Sequence, residues 1–509
     1  MVIDEYDTEG AHAGQAIVRV FCAESHGLLH LTLCRVGSSV SPMKSNVAIA
    51  LSEIDRTVRS DQVITDTDVC ASYARDESET PPRTPDAVIR ARCQADVIAV
   101  MKACSRHGVF VTPRAGGTGR TGGSVPVRGG VVLAFEGMRA LDEIHREDLV
   151  TVVEPGLVLG NLHAAVEAEG LFYGPDPNSL ASCAIGGNLA ENAGGPRAFK
   201  YGVTRDWTLG LEVVTADGTP LSLGKRTVKG VTGYDLAALM VGSEGTLGII
   251  TRATLKLIVK PERVVTLLAL LPDARTAGQA VSAVLKLGVV PRCLELLDGD
   301  TLDLVRPSLA FPVADGVRAA LLIDLDGPEQ LCDSELERAG NTLLQSGAID
   351  VLVAQNGSER ERLWAARREL SYALRRSARH KLAEDVVVPK SQIATLLEAR
   401  DRISERYGVR MPTYGHAGDG NLHVNFLWED DSDEPRVHAA IEALFREVVS
   451  LRGTLSGEHG IGVLKAPYLA LEQSPALIEW QQRVKRTFDP EGILNPGKIF
   501  PSEVPHRAC

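Results

Sequence analysis

No CxxC pair occurs in the chain. The nine cysteines are scattered, and metal–thiolate clusters need close spacing, so an internal iron–sulfur cluster is not expected. Nor is a disulfide framework in a chain of this size, and the odd count suits a reducing compartment. No apolar run reaches the roughly 20 residues of a spanning helix. Cations are in deficit, with 54 Lys and Arg against 66 Asp and Glu, a net charge of −12. Without a local basic stripe, nucleic acid is not an expected partner. An anionic substrate must be held by a few local cations. Haem and nicotinamide motifs are missing, as is the period of a solenoid.

What is present reads as a globular enzyme-sized chain. Its 509 residues, 44% hydrophobic and 24% charged, exclude a disordered chain and imply two or three domains of ~150 residues each. Residues 1–42 differ from the rest. They lack a basic n-region, a clean apolar core and an A-x-A site, so they are not read as a signal peptide. We expect a weakly structured extension there, with activity intact in a chain starting at Met43. Residues 43–80 read as a helical lead-in with a polar linker from Asp66 to Thr80. TPDAVIRARC is strand-like, and Gln94 to His107 is an amphipathic helix ended by Gly108. Short strands and Gly/Pro/Asn turns alternate over 129–260, and Pro261 marks a boundary. Beyond it a β-α-β pattern is used about twice, which suggests a sheet covered by helices. Helices are expected at 436–452 and 475–487.

Three glycine-rich segments carry the first chemical signal. PRAGGTGRTGG (113–123) is neither a P-loop, since no GK[ST] ends it, nor a good Rossmann fingerprint, since more turn follows it rather than a helix. Its backbone N–H groups could still form a phosphate-binding nest. GPDPNSLASCAIGGNLAENAGG (174–195) is a second such loop, and the two could clamp an extended diphosphate. GVTGYDLAALMVGSEGTLGII (230–250) could lay backbone against a flat ring. A mobile turn is the bland alternative for any one of them alone. Cys183, inside the second loop, reads as a small buried residue.

TYGHAGDGNLHVNF (413–426) and SGEHGIG (456–462) carry the second signal. A hairpin through the Gly-Asp-Gly-Asn turn would bring His416 and His423 to one side. Two imidazoles and the Glu458 carboxylate form a divalent-metal set with open positions. Two unrelated core histidines and a surface Glu-His are the competing reading.

The three glycine segments, in this order, resemble the flavin-binding domain of the vanillyl-alcohol oxidase/para-cresol methylhydroxylase (PCMH) superfamily. AFKYGVTRDWTLGLEVVTADG and TGYDLAALMVGSEGTLGIIT resemble its FAD-linked 2-hydroxy-acid dehydrogenases, of the D-lactate dehydrogenase and glycolate oxidase D-subunit type. The resemblance spans about Pro81 to Phe500. It implies an α+β fold: a two-subdomain PCMH-type FAD-binding domain over 81–260, a ferredoxin-like α+β substrate and metal domain over 261–501 ending in a helical and loop segment, and a tail at 502–509.

The resemblance also implies noncovalent FAD. Arg114, Ala115, Gly116, Gly117, Thr118 and Gly119 would cradle the pyrophosphate, with Thr121 and Gly122 beside them. Pro175, Asp176, Ser182, Gly187, Asn188 and Asn192 would line the flavin and ribityl region. Glu244, Gly245, Gly248 and Ile250 would hold the adenine side or ring edge, with Asn495 reaching the flavin side. A divalent metal, Zn²⁺ first, would sit on His416, His423 and Glu458 and chelate the substrate. His459 would be the general base, with hydride passing from C2 to flavin N5. Arg367 matches the family's substrate-carboxylate arginine, and Lys381 is a further candidate. Asp419 and Asn421 read as metal-supporting or turn residues. Arg120 stands where an apolar residue is frequent.

D-lactate or glycolate is the substrate expected from this resemblance, with D-2-hydroxyglutarate as the alternative. A metal hydrolase leaves the glycine loops unexplained. An ether-lipid synthase would need a run of histidines where SGEHGIG has one. A silent flavin-binding subunit sits poorly with an intact His459 and Arg367. Electrons would leave to a quinone, a cytochrome, an electron-transfer flavoprotein or an iron–sulfur subunit. The expected setting is cytoplasmic, peripheral to the inner membrane through a partner, with a homodimer as a candidate state.

Overall fold

The computed structural model describes residues 42–309 and 313–501. The expectations for the N-terminal extension and for the tail therefore lie outside the described residues. Three larger sheets and a two-stranded ribbon, Ile258–Val259 with Leu171–Phe172, organise the described residues.

The first has four strands in the order Val63–Ile64, Ala87–Arg90, Val131–Ala134 and Val111–Arg114. The last three run parallel. Val131–Ala134 is buried at every position, as expected of a parallel strand covered on both faces. The helix Gln94–His107 packs on this sheet as its periodicity predicts. Val97, Val100, Met101 and Cys104 form the buried stripe, and Gly108 ends the helix with a left-handed φ of 62°. Strand Val111–Arg114 then delivers the chain into the first glycine loop.

The second sheet has five antiparallel strands, in the order Leu141–His145, Val150–Val153, Ile249–Lys256, Thr208–Val214 and Pro220–Gly224. Ile249–Lys256 alternates buried and half-buried residues along its length, the period-2 signature of a one-sided strand. Phe172, Tyr173 and Trp207 fill the space beneath.

The third sheet is larger than a ferredoxin-like unit. Its seven strands are antiparallel throughout, in the order Asp350–Val353, Arg263–Leu271, Ala319–Gly327, Cys293–Asp298, Thr413–His416, Asn421–Trp428 and His380–Val387. The histidine hairpin and His380–Val387 extend it. Helices Ala274–Lys286, Glu329–Gln345, Ile393–Tyr407 and Glu434–Ser450 cover one face. Gly299–Val305 and Gly357–Arg376 cover the other. The expected C-terminal helices run Glu434–Ser450 and Pro475–Phe488. After them the chain returns to the first sheet: Asn495 N–H donates to Val111 O at 2.8 Å, and Lys498 Nζ donates to Val125 O at 2.5 Å.

Candidate active site

A cavity of about 480 Å³ runs between the glycine loops and the seven-stranded sheet. Two glycines show why its wall is built of backbone. A Cβ on Gly116 would lie 2.9 Å from Ser182 O and 3.0 Å from Ala184 N, so the first and second loops touch there. Gly117 has a φ of 68° and lies over the Arg114 guanidinium. Arg114 braces the loop from beneath, donating to Arg75 O at 2.8 Å and Ser124 Oγ at 3.2 Å.

Of the residues assigned to FAD, Arg114 through Gly119, Asp176, Gly187, Asn188, Glu244, Gly245, Gly248, Ile250 and Asn495 line the cavity. Five do not. Thr121 donates to His459 O at 3.0 Å, and Gly122 packs on Thr80. Pro175 O meets His163 Nε2 at 2.9 Å, and Ser182 Oγ donates to Ser179 O at 3.2 Å. Asn192 turns the chain with a φ of 55° and accepts from Arg205 N at 2.8 Å. All five shape the loops rather than face the space.

Two lining residues are already engaged. Asp176 pairs with Arg197 at 2.9 Å. Glu244 accepts N–H groups of Ile461 and Gly462 at 2.8 and 2.7 Å, so it ties the third glycine segment to the loop that carries His459. The cavity nevertheless fits a dinucleotide-sized flavin. Backbone from three glycine-rich segments lines it, and Asn188 Nδ2 and Asn495 Oδ1 are buried with no partner.

At the sheet end the hairpin Thr413–His416/Asn421–Trp428 pairs His416 with Asn421 and Tyr414 with His423. The imidazoles of His416 and His423 stand edge to face, 5.2 Å between centroids. Glu458 Oε1 lies 3.4 Å from His416 Nε2 and 3.6 Å from His423 Nε2. Donor atoms of all three lie within 4.8 Å of one another, and two imidazoles with one carboxylate suit a divalent ion. Behind them, Glu295 Oε1 holds His416 Nδ1 at 2.6 Å, which leaves Nε2 to face Glu458.

Sequence reading missed two residues here. Glu295 also receives Arg367, whose Nε donates to Oε2 at 2.7 Å. Burial opposes its ionisation, but Arg367 and His416 outweigh burial and hold the carboxyl at about 2. Asp385 is the second. Its Oδ2 accepts N–H groups of Gly457, Glu458 and His459 at 2.9, 2.8 and 2.9 Å and the Ser456 hydroxyl at 3.2 Å. Asn421 Nδ2 donates to its Oδ1 at 2.5 Å. HKLAEDVVVP carries no motif that flags an acid, and only the fold shows Asp385 under the loop.

His459 stacks on His423, 5.3 Å between centroids and 13° apart in plane. Burial lowers its proton affinity, against the pull of Asp385 and Glu458, so it is neutral and able to accept a proton near pH 7. Burial and His416 push His423 far below its usual range as well.

Arg367 lines the cavity but is committed to Glu295 and lies over the Tyr414 ring at 4.6 Å. Lys381 does not line it. Its Nζ donates to Ser371 O and Oγ at 3.2 and 3.1 Å, and Ser371 lines the wall. Burial, then Arg120 and Arg375, lower Lys381 to about 7. Asn425 is buried behind the site, donating to Pro412 O and His423 O at 3.1 Å each. Asp419 accepts from Asn421 N at 3.2 Å, a turn role. Arg292, Arg360 and Arg368 also reach the cavity, paired with Asp326, Asp324 and Glu361.

A glycine-lined cavity with a histidine–carboxylate cluster at one end suits a flavoprotein oxidoreductase, and comparison with known proteins shows that class. The family model "FAD binding domain" matches residues 85–224, and "FAD linked oxidases, C-terminal domain" matches 260–499. The glycolate oxidase subunit GlcD of Bacillus subtilis is 40% identical over 437 residues, 86% of this chain and 93% of that one. The D-lactate dehydrogenase of Anaerostipes hadrus is 35% identical, covering 82% and 89%. The D-2-hydroxyglutarate dehydrogenase of Stutzerimonas stutzeri is 32% identical, covering 88% and 98%. The fold is similar to p-cresol methylhydroxylase with substrate bound, at 16% identity and a TM-score of 0.76, covering 90% and 97%. The chain belongs to the FAD-linked oxidases, and it is an FAD-dependent oxidoreductase of the PCMH-type fold. Among the described residues no helix is long and apolar enough to cross a membrane.

Proposed function

We propose that the protein oxidises a D-2-hydroxy acid to the 2-oxo acid. The carrying observation is the placement of His459 beside a two-histidine, one-carboxylate cluster at the end of the glycine-lined cavity. The relatives' names, all enzymes of 2-hydroxy acids, support it. When bound, FAD would supply the acceptor for a hydride from C2, and a divalent ion held by His416, His423 and Glu458, Zn²⁺ first, would draw charge from the hydroxyl.

The chain's own residues do the rest. His459 takes the hydroxyl proton on its ring nitrogen. Asp385 fixes the loop that holds His459, and Glu295 fixes the tautomer of His416. The Arg367 guanidinium, oriented by Glu295, offers its remaining N–H groups to the substrate carboxylate. Lys381 orients the Ser371 hydroxyl at the cavity wall. Residues 81–260 supply the flavin side and 261–501 the substrate side. The electrons would leave to a separate acceptor, a quinone, a cytochrome, an electron-transfer flavoprotein or an iron–sulfur subunit, since the sequence has no CxxC pair.

The test is steady-state dye reduction by flavin-loaded enzyme, with the product trapped as a hydrazone. D-acids should yield the 2-oxo acid, and L-lactate should not. A flavin-loaded protein that makes no 2-oxo acid from any D-2-hydroxy acid overturns the reading.

A further inference from the structure

Most arginines at the cavity are neutralised. Arg197, Arg292, Arg360 and Arg367 each face a carboxylate. Arg120 lines the same cavity. Among the described residues it makes neither an ion pair nor a hydrogen bond. Its place is fixed by its neighbours. Glu77 N–H donates to Gly119 O at 3.1 Å, and Thr121 donates to His459 O at 3.0 Å. Arg120 therefore stands between the braced glycine loop and the His459 loop, at the histidine end of the cavity. Of its neighbouring cations, Lys381 is engaged by Ser371 and Arg375 is paired with Glu79. A half-buried guanidinium without a counter-charge is a ready carboxylate site, since two parallel N–H donors match two oxygens.

We propose that Arg120 is a specificity-determining residue that receives an anionic group carried beyond C2, so that the preferred substrate is a D-2-hydroxy dicarboxylate. The proposal rests on the 2-hydroxy-acid reading above. It moves the expectation away from D-lactate and glycolate, whose methyl group or hydrogen at C2 leaves Arg120 unpaired. A site built to pair a polar group discriminates strongly against substrates lacking it.

The experiment compares kcat/KM of the flavin-loaded enzyme for D-2-hydroxyglutarate and D-malate with that for D-lactate and glycolate, in the native chain and in Arg120→Leu and Arg120→Lys. The native chain should favour a dicarboxylate. Arg120→Leu should lower the dicarboxylate-to-monocarboxylate ratio on the order of 10- to 100-fold, and Arg120→Lys should retain part of it. Calorimetric binding of 2-oxoglutarate against pyruvate to the oxidised enzyme should show the same change of ratio. A ratio within about threefold of native in both variants overturns the proposal. So does loss of flavin with the ratio unchanged, which would assign Arg120 to the cofactor phosphates. If no acid is oxidised by the native chain, the reaction reading has failed, and the calorimetric ratio alone decides on Arg120.

Discussion

Five donors converge on the carboxylate of Asp385, three of them backbone N–H groups of Gly457, Glu458 and His459. Burial alone would raise its pKa, yet His459, Lys465 and His423 hold it well below the usual carboxylate range. It stays ionised and acts as a fixed anchor for the loop. Asp385→Ala should therefore cost on the order of 100-fold in kcat with flavin still bound, because Glu458 and His459 lose their placement. Absorbance at the flavin band and rapid-mixing rates check this, and an unchanged kcat would remove Asp385 from the machinery. His459→Gln should slow flavin reduction by about 10²–10⁴-fold. Substrate binding should change much less, as a perturbation titration of the oxidised flavin would show. At this scale the cavity-lining members of the glycine loops and the histidine cluster could be named from the sequence, whereas Thr121, Gly122, Pro175, Ser182, Asn192 and Lys381 were named with them and do not line it. Asp385 and Glu295 could not be named, because one acid in a strand looks like any other until the strand's partners are known.

Elements were legible where a local rule decides them. Gln94–His107 is fixed by its apolar stripe and its glycine stop. The histidine hairpin is fixed by its Gly-Asp-Gly-Asn turn. Sheet size was not legible, since pairing between Cys293–Asp298 and Thr413–His416 spans more than a hundred residues and leaves no local trace. Two predictions belong to this scale. Gly116→Val should yield protein without flavin, because its Cβ would press within 2.9 Å of Ser182 O and force the first two loops apart. The ratio of absorbance at the flavin band to that at the protein band reads the result, and a flavin-loaded variant would contradict it. The second concerns the helix Leu159–Ala168 and the loop after it, joined by His163 and Pro175 O. Burial, with help from Arg197, lowers His163 to about 4. The unfolded chain, titrating near 6.5, takes up a proton that the native chain refuses. Stability is therefore lost as pH falls from about 6.5 towards 4, by up to ~3 kcal/mol from this group, and is regained above that window. Thermal unfolding of native protein and His163→Gln across this range checks the sign: the gap between them should narrow as pH falls.

For the whole molecule, the cavity is assembled from segments hundreds of residues apart. The glycine loops come from residues 113–123, 174–195 and 230–250, and the acid–base group from 456–462. Their chemistry was legible from spacing and from resemblance. Their convergence was not, because it depends on the C-terminal segment returning to the first sheet and on Glu244 reaching Ile461 and Gly462. That convergence is the central claim: one cavity joins a flavin site to a metal-type histidine cluster and its base. Anaerobic single-turnover bleaching of the bound flavin by a D-2-hydroxy acid, before and after chelation, tests it most directly. The account predicts fast bleaching that chelation slows by on the order of 100-fold or more and that a divalent ion restores. Bleaching at the same rate after complete metal removal would contradict it.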